Sequence, residues 1–179
     1  DSDIAYTVGE LCAARLPRAY GADEVIQVIS PTRRGVSGTE ALNARLQNLI
    51  NPQSRSKKEY RHRDRLFRQG DKGMQIRNNY ELEWTSGAKS GLGVFNGDIG
   101  RIREIDASEK YIEIDFDGRT VFYEMSDLDD LDLAYAITVH KAQGSEYSTV
   151  VIPLGGVPSA LCTRNMIYTA VTRAKKRVI

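Results

Sequence analysis

The chain lacks most of the features that would shorten its reading. Its 179 residues include only two cysteines, Cys12 and Cys162, far apart and without histidine spacing beside them. That excludes a zinc finger or a disulfide framework. One disulfide is conceivable, but a reduced, cytoplasmic protein fits better. No apolar run approaches the roughly 18 residues of a membrane span, and the Asp1-Ser-Asp start has no signal-peptide character. A formal net charge of +1 excludes a protein that coats nucleic acid by bulk charge, so any contact with a polyanion must be local. No G-x-x-x-x-G-K-[ST] loop is present to cradle phosphates, and no acidic pair follows an apolar strand to hold Mg²⁺. No metal-ligating set is expected. The abrupt start and end suggest a piece of a longer protein.

What is there has a clear rhythm. Ile4, Val8, Leu11, Cys12 and Leu16 recur at helical spacing, predicting an amphipathic helix that stops near Pro17. Val25–Ser30 reads as a strand buried on both faces. A loop with Arg33, Arg34, Gly35 and Gly38 leads to Thr39 as N-cap of a helix with Leu42, Leu46 and Leu49 on one side. Gln53 to Lys72 is polar and mostly basic, a run of the kind that is usually solvated. Beyond it, Asn96-Gly97 and Asp117-Gly118 signal hairpin turns between alternating apolar residues, as in a small antiparallel barrel. Asn78 to Gly93 is expected to be a long mobile loop, and Trp84 and Tyr80 within it to pack rather than stack on bases. Strand and helix patterns then resume from Ala134 to Ile179. These patterns predict an α/β domain with a parallel sheet, made of residues 1–65 and 132–179, and a β-barrel insert at 66–131.

Two runs carry chemistry. Thr138-Val-His-Lys-Ala-Gln-Gly-Ser-Glu146 follows an apolar strand, where α/β sheets present side chains and backbone N–H groups to ligands. Thr138, His140 and Lys141 can hydrogen-bond successive phosphates. Gly144 allows close backbone approach, and Glu146 can accept from a ribose hydroxyl. Taken alone, His140 would read as a polar turn residue satisfying a local carbonyl; the whole string favours binding. Tyr168-Thr-Ala-Val-Thr-Arg-Ala-Lys175 places Arg173 at the end of a helical pattern. A permanently charged, forked guanidinium suits the charge that spreads over a transferring phosphoryl group. The alternative is a helix C-terminus whose Arg173, Lys175 and Lys176 simply complement the dipole. Arg34, in a loop after a buried strand, could reach a phosphate or remain solvated.

Together these runs resemble motifs V and VI of superfamily 1 helicases. Val28–Gly35 with Gly38–Asn43 is similar to the motif IV region, and Gly70–Gln75 with Val94–Gly100 to the SH3-like insert, of RecD-like superfamily 1B helicases. The resemblance implies a second RecA-like motor domain of P-loop NTPase type, lacking the P-loop and carrying an SH3-like antiparallel barrel. It implies, for an intact protein, ATP-driven 5′→3′ DNA unwinding, with ATP and Mg²⁺ held mainly by residues outside this chain. Position by position, it implies Arg173 as the arginine finger, Arg34, Gly144 and Glu146 as nucleotide contacts, and Thr138, His140 and Lys141 as DNA contacts. The implied partners are single-stranded DNA, an N-terminal RecA-like domain of the same protein and RecBC-like nuclease subunits, with no membrane; the fragment alone is expected to be inactive. Gly73 departs from the bulky apolar residue common in that family. The competing function is a DNA-binding or protein-docking module that works through the barrel.

Overall fold

A computed structural model describes Ser2–Ile179, with side chains from Ile4 onward; the terminal Asp1, read above as part of a start without signal-peptide character, lies outside the described residues. The chain divides into two compact units, one made of the residues up to Pro52 with Tyr135–Ile179, the other of Gln53–Ala134. The sequence reading drew these lines at 65/66 and 131/132. Residues 53–65, which lead into a hairpin described below, and residues 132–134 belong instead to the second unit.

The first unit opens with helix α1 (Ser2–Glu10), a π-helical turn at Leu11–Arg15, and helix α2 (Leu16–Tyr20). The helix therefore continues past Pro17, contrary to the expected stop. A proline ring clashes with the carbonyl four residues earlier and donates no hydrogen bond. The widened turn just before Pro17 absorbs that misfit, and the helix ends instead at Gly21, whose φ of 106° closes off the last turn. Strands β1 (Ile26–Ser30), β11 (Ala136–Thr138), β12 (Tyr147–Val151) and β13 (Ala174–Val178) form a parallel sheet in the order β11-β1-β12-β13. Gln27 through Ser30 are buried on both faces, as the apolar run predicted.

Helix α3 (Thr39–Ile50) packs Leu42 and Leu46 inward, while Leu49 stays largely exposed. Its N-cap is Gly38 rather than Thr39. The reason is space: a Cβ on Gly38 would lie 2.5 Å from the backbone of Arg33 and Arg34. The loop folds back so that the carbonyls of Thr32 and Arg33 accept from Thr39 N and Glu40 N, satisfying first-turn donors that a helix otherwise leaves open.

The second unit begins with a hairpin, β2 (Glu59–His62) and β3 (Arg65–Arg68). A seven-stranded antiparallel sheet follows, in the order β10-β4-β7-β8-β9-β5-β6. Its strands are β4 (Lys72–Gln75), β5 (Asn79–Ser86), β6 (Lys89–Val94), β7 (Ile99–Asp106), β8 (Tyr111–Phe116), β9 (Arg119–Glu124) and β10 (Leu131–Leu133). Ile102, Ile105, Ile112, Ile114, Phe116, Val121 and Tyr123 are buried along its inner face. Asp117-Gly118 forms the expected two-residue turn, both residues at positive φ (54° and 85°).

The segment Asn78–Gly93 is not a long loop. It is mostly the β5–β6 hairpin, held by Trp84, whose ring covers its cross-strand partner Gly91; a Cβ on Gly91 would clash with it. Trp84 thus packs, while Tyr80 is exposed and meets Phe95 edge-on. The basic run is not a solvated linker either. Glu59 pairs with Arg68, Asp129 receives His62, Arg63 and Arg65, and Lys58 meets Glu104 and Asp106. At Gly73 the space a side chain would take is filled by Leu131, whose Cδ1 lies 3.3 Å from the Cβ position.

Candidate functional site

The parallel sheet has two edges, and the candidate residues divide between them. β11 ends at Thr138 beside Ser30, the last residue of β1. From there the chain makes one helical turn: Ala142 N donates to Thr138 O (3.1 Å) and Gln143 N to His140 O (3.3 Å). Thr138 Oγ1 accepts from Lys141 N (3.4 Å), which fixes the threonine hydroxyl beside the turn. Gly144, at φ 81°, reverses the direction, and Tyr147 opens β12. Because β11 and β12 both run parallel to β1, this turn carries the backbone from the carboxyl edge of the sheet to its amino edge. Thr138 and the exposed His140 therefore lie at the carboxyl edge, with the half-buried Lys141 in the turn. Glu146 lies at the amino edge, with Gly144 just before it.

Arg173 is brought to the amino edge as well. Helix α4 (Arg164–Val171) is capped by Thr163, whose hydroxyl accepts from Met166 N (3.2 Å). Past its end, Arg173 O accepts from Tyr147 N (2.8 Å), locking the start of β13 to the start of β12. The guanidinium reaches back into the same corner. Nε donates to Thr169 O, Nη1 to Ser145 O and Nη2 to Thr172 Oγ1, each at 3.3 Å. All three acceptors are neutral, and no carboxylate lies within ion-pair distance of Arg173 among the described residues. The arginine is thus aimed without being neutralised. Bonds of that length are at the weak end of hydrogen bonding, so exchanging acceptors costs little. Burial pushes the neighbouring Tyr147 phenol upward, while Ser145 and the Arg173 charge draw it down. Glu146 pairs with Lys175 at 3.3 Å, with both side chains 60% exposed. Such a pair is worth about 0–1 kcal/mol and leaves the carboxylate available.

Arg34 is not brought together with Arg173. Its loop leaves the carboxyl end of β1, so it shares an edge with Thr138 and His140. A five-residue strand spans roughly 17 Å, and that length separates the two arginines' edges. Arg34 is exposed and makes no ion pair among the described residues; its neighbour Arg33 meets Glu40 at 3.7 Å.

One residue that supports this edge escaped the sequence reading. β11 is an outer strand, with unpaired backbone groups along one side. Asn43 of α3 answers them: its Nδ2 donates to Ala136 O (2.9 Å) and Ala136 N donates to its Oδ1 (2.8 Å). A buried asparagine in the middle of a leucine-lined helix face was the available signal. Among the described residues no group of three or more His, Cys, Asp or Glu side chains is placed to hold a metal ion, and no helix is long and apolar enough to cross a membrane.

Comparison with known proteins agrees with this architecture. Residues 42–116 match the family described as the ATP-dependent RecD-like DNA helicase SH3 domain, and residues 133–179 the UvrD-like helicase C-terminal domain. The chain is 35% identical over 164 residues to the ATP-dependent RecD2 DNA helicase of Deinococcus radiodurans, covering 92% of this chain and 21% of that protein. The chain belongs to the RecD-like helicases, as part of their C-terminal region. It also matches the RecBCD enzyme subunit RecD of Mycolicibacterium smegmatis, with 38% identity over 88 residues, 49% of this chain and 15% of the relative. Among solved structures, the Pif1 helicase from Bacteroides in complex with ADP-AlF3 and single-stranded DNA aligns with a TM-score of 0.58 at 20% identity, over 99% of this chain and 44% of that one. The RecD-like chain therefore carries a helicase C-terminal α/β fold with an SH3 domain, and it spans only about a fifth of the RecD2 helicase it matches.

Proposed function

We propose that this chain supplies the second half of a nucleotide clamp and part of a DNA-gripping ledge to a 5′→3′ DNA helicase. The observation that carries the proposal is the Arg173 guanidinium, held by three neutral acceptors and paired with no carboxylate among the described residues. Its full charge is available to an anion. The amino edge fits a nucleotide in two further respects: nothing lies within 4 Å of the Cβ position of Gly144, and Glu146 offers an exposed carboxylate to a ribose hydroxyl. ATP with Mg²⁺ would supply the phosphoryl chemistry, its phosphates and metal held chiefly by an N-terminal RecA-like domain of the same protein. In this chain Arg173 would orient toward the γ-phosphate and stabilise the charge that develops there. On this reading the fragment alone does not hydrolyse ATP, and RecBC-like nuclease subunits are candidate partners for the intact protein, working in the cytoplasm.

The carboxyl edge would hold the backbone of single-stranded DNA through Thr138, His140 and Lys141. Arg34 belongs with that group by position, rather than with the nucleotide contacts. The turn from Thr138 to Glu146 would then link the two edges in one rigid step, so that closure on nucleotide shifts the strand-gripping residues. In the intact helicase, Arg173→Ala is expected to lower DNA-stimulated ATP hydrolysis by about 10³–10⁵ while single-strand binding persists. Turnover within a few-fold of the parent would refute the role given to Arg173.

A further inference from the structure

The outward face of the seven-stranded sheet has a character that neither edge of the parallel sheet shares. Cross-strand register aligns Glu104 with Glu113 and Glu113 with Phe122, and on the far side Glu83 with Leu92. All of these point away from the buried Ile105, Ile112, Ile114 and Val121, as strand alternation requires. Phe122 is 51% exposed and Leu92 63%, large apolar groups that remain open to solvent on this face. Like charges directly opposite one another, as at Glu104 and Glu113, oppose the fold.

The cations on this face do not balance it. Lys58 serves Glu104 and Asp106, Arg103 serves Asp115, and Arg101 donates to Gly70 O. Glu83, Glu113 and the neighbouring Glu124 meet no basic side chain among the described residues. The field is felt locally: the Tyr111 phenol, edge-on to Phe122 at 5.5 Å, is pushed upward by burial and then by Glu104, Asp106 and Glu113. A nucleic-acid backbone would be repelled here. A cationic partner with apolar anchors would be drawn in.

We infer that this face of the second unit is a docking surface for a basic amphipathic helix of a protein partner. The spacing suits a helix. Leu92 on β6 and Phe122 on β9 are separated by β5 alone, roughly 9.5 Å at ordinary strand spacing. Residues i and i+7 on a helix lie about 10.5 Å apart on one side. Two apolar anchors at that interval would cover Leu92 and Phe122, and flanking lysines or arginines would reach Glu83, Glu113 and Glu124. The inference is independent of the role given to Arg173.

The test is an NMR titration of this chain with an amphipathic leucine–lysine helical peptide of about four turns, and in parallel with oligo-dT. The expected result is that peptide-induced shifts centre on Glu83, Leu92, Glu113 and Phe122 and weaken with salt. Phe122→Ala and Glu113→Lys, both outward and both checked for an unchanged melting midpoint, should each lower peptide affinity by about tenfold or more. The inference is overturned if the peptide maps elsewhere, if both variants bind within about twofold of the parent, if oligo-dT moves the same resonances, or if the face is occupied by a second copy that the peptide does not displace.

Discussion

Arg68 and Arg173 are both hydrogen-bonded guanidiniums, and they differ in what accepts from them. Arg68, buried in the β2–β3 hairpin, is matched by the carboxylate of Glu59. Around it, His62, Arg63 and Arg65 converge on Asp129. Arg173, at the corner of β12 and β13, has backbone carbonyls and a threonine hydroxyl instead. Arg34 and His140, at the other edge of that sheet, have no ion pair among the described residues. The hairpin has the higher density of positive charge, yet its charge is answered internally and serves architecture. In the parallel-sheet unit Arg177 and Lys175 are matched by Glu24 and Glu146, whereas Arg34 and Arg173 meet no carboxylate among the described residues. Compensation, rather than the count of basic residues, separates a structural cation from one available to a phosphate.

The comparison can be broken in several places. The largest expected effect within this chain is at the clamp between α3 and β11. Asn43→Ala removes both hydrogen bonds to Ala136 and leaves buried backbone groups unmet, at a cost of about 1–3 kcal/mol. Denaturant unfolding should show the loss, and amide exchange at Ala136 should quicken. Unchanged stability would mean that the edge carrying Thr138 is held by other contacts.

Arg34→Ala sharpens the assignment of edges. In the intact helicase it should weaken single-strand binding by a few-fold and reduce the salt slope of that binding by about one, with KM for ATP unaltered. A rise in KM with an unchanged salt slope would return Arg34 to the nucleotide group.

The smallest effect concerns a carboxylate in the second unit. Asp106 is held at about 2, below its ordinary 3.8, by the Ser108 hydroxyl first and then by the Glu109 N–H. A carboxyl lowered on folding stabilises above its unfolded value and loses that contribution as pH falls toward the folded one. The Asp106 contribution is therefore complete above about pH 4 and gone near pH 2. Asp106→Asn should remove this part of the acid sensitivity, read as a flatter stability profile between those limits.

Much of this arrangement was legible in the residues. The runs Val25–Ser30, Thr138–Glu146 and Tyr168–Lys175 combine an apolar core pattern with local chemistry, and the α/β fold follows from them; the SH3 domain is legible in Gly70–Gln75 and Val94–Gly100 through their resemblance to the family. What escaped the sequence depends on backbone geometry and on pairing that composition does not record. Pro17 looks like a helix stop because the π-turn that accommodates it leaves no mark in composition. Asn78–Gly93 looks like a loop because its glycines are read as breakers, whereas Gly91 is needed to make room for Trp84. The basic run looks solvated because Asp129, Glu104 and Asp106 lie tens of residues downstream. Arg34's place at the carboxyl edge depends on strand direction, which its local sequence does not carry.

The central claim is that Arg173 acts on the terminal phosphoryl group. The most direct measurement compares the affinity of the intact helicase for ADP with its affinity for ADP plus aluminium fluoride, in the parent and in Arg173→Ala. The account predicts that the variant keeps ADP affinity within a few-fold and loses about a hundredfold or more in affinity for the transition-state mimic. Equal losses for both ligands, or no loss for the mimic, would contradict it.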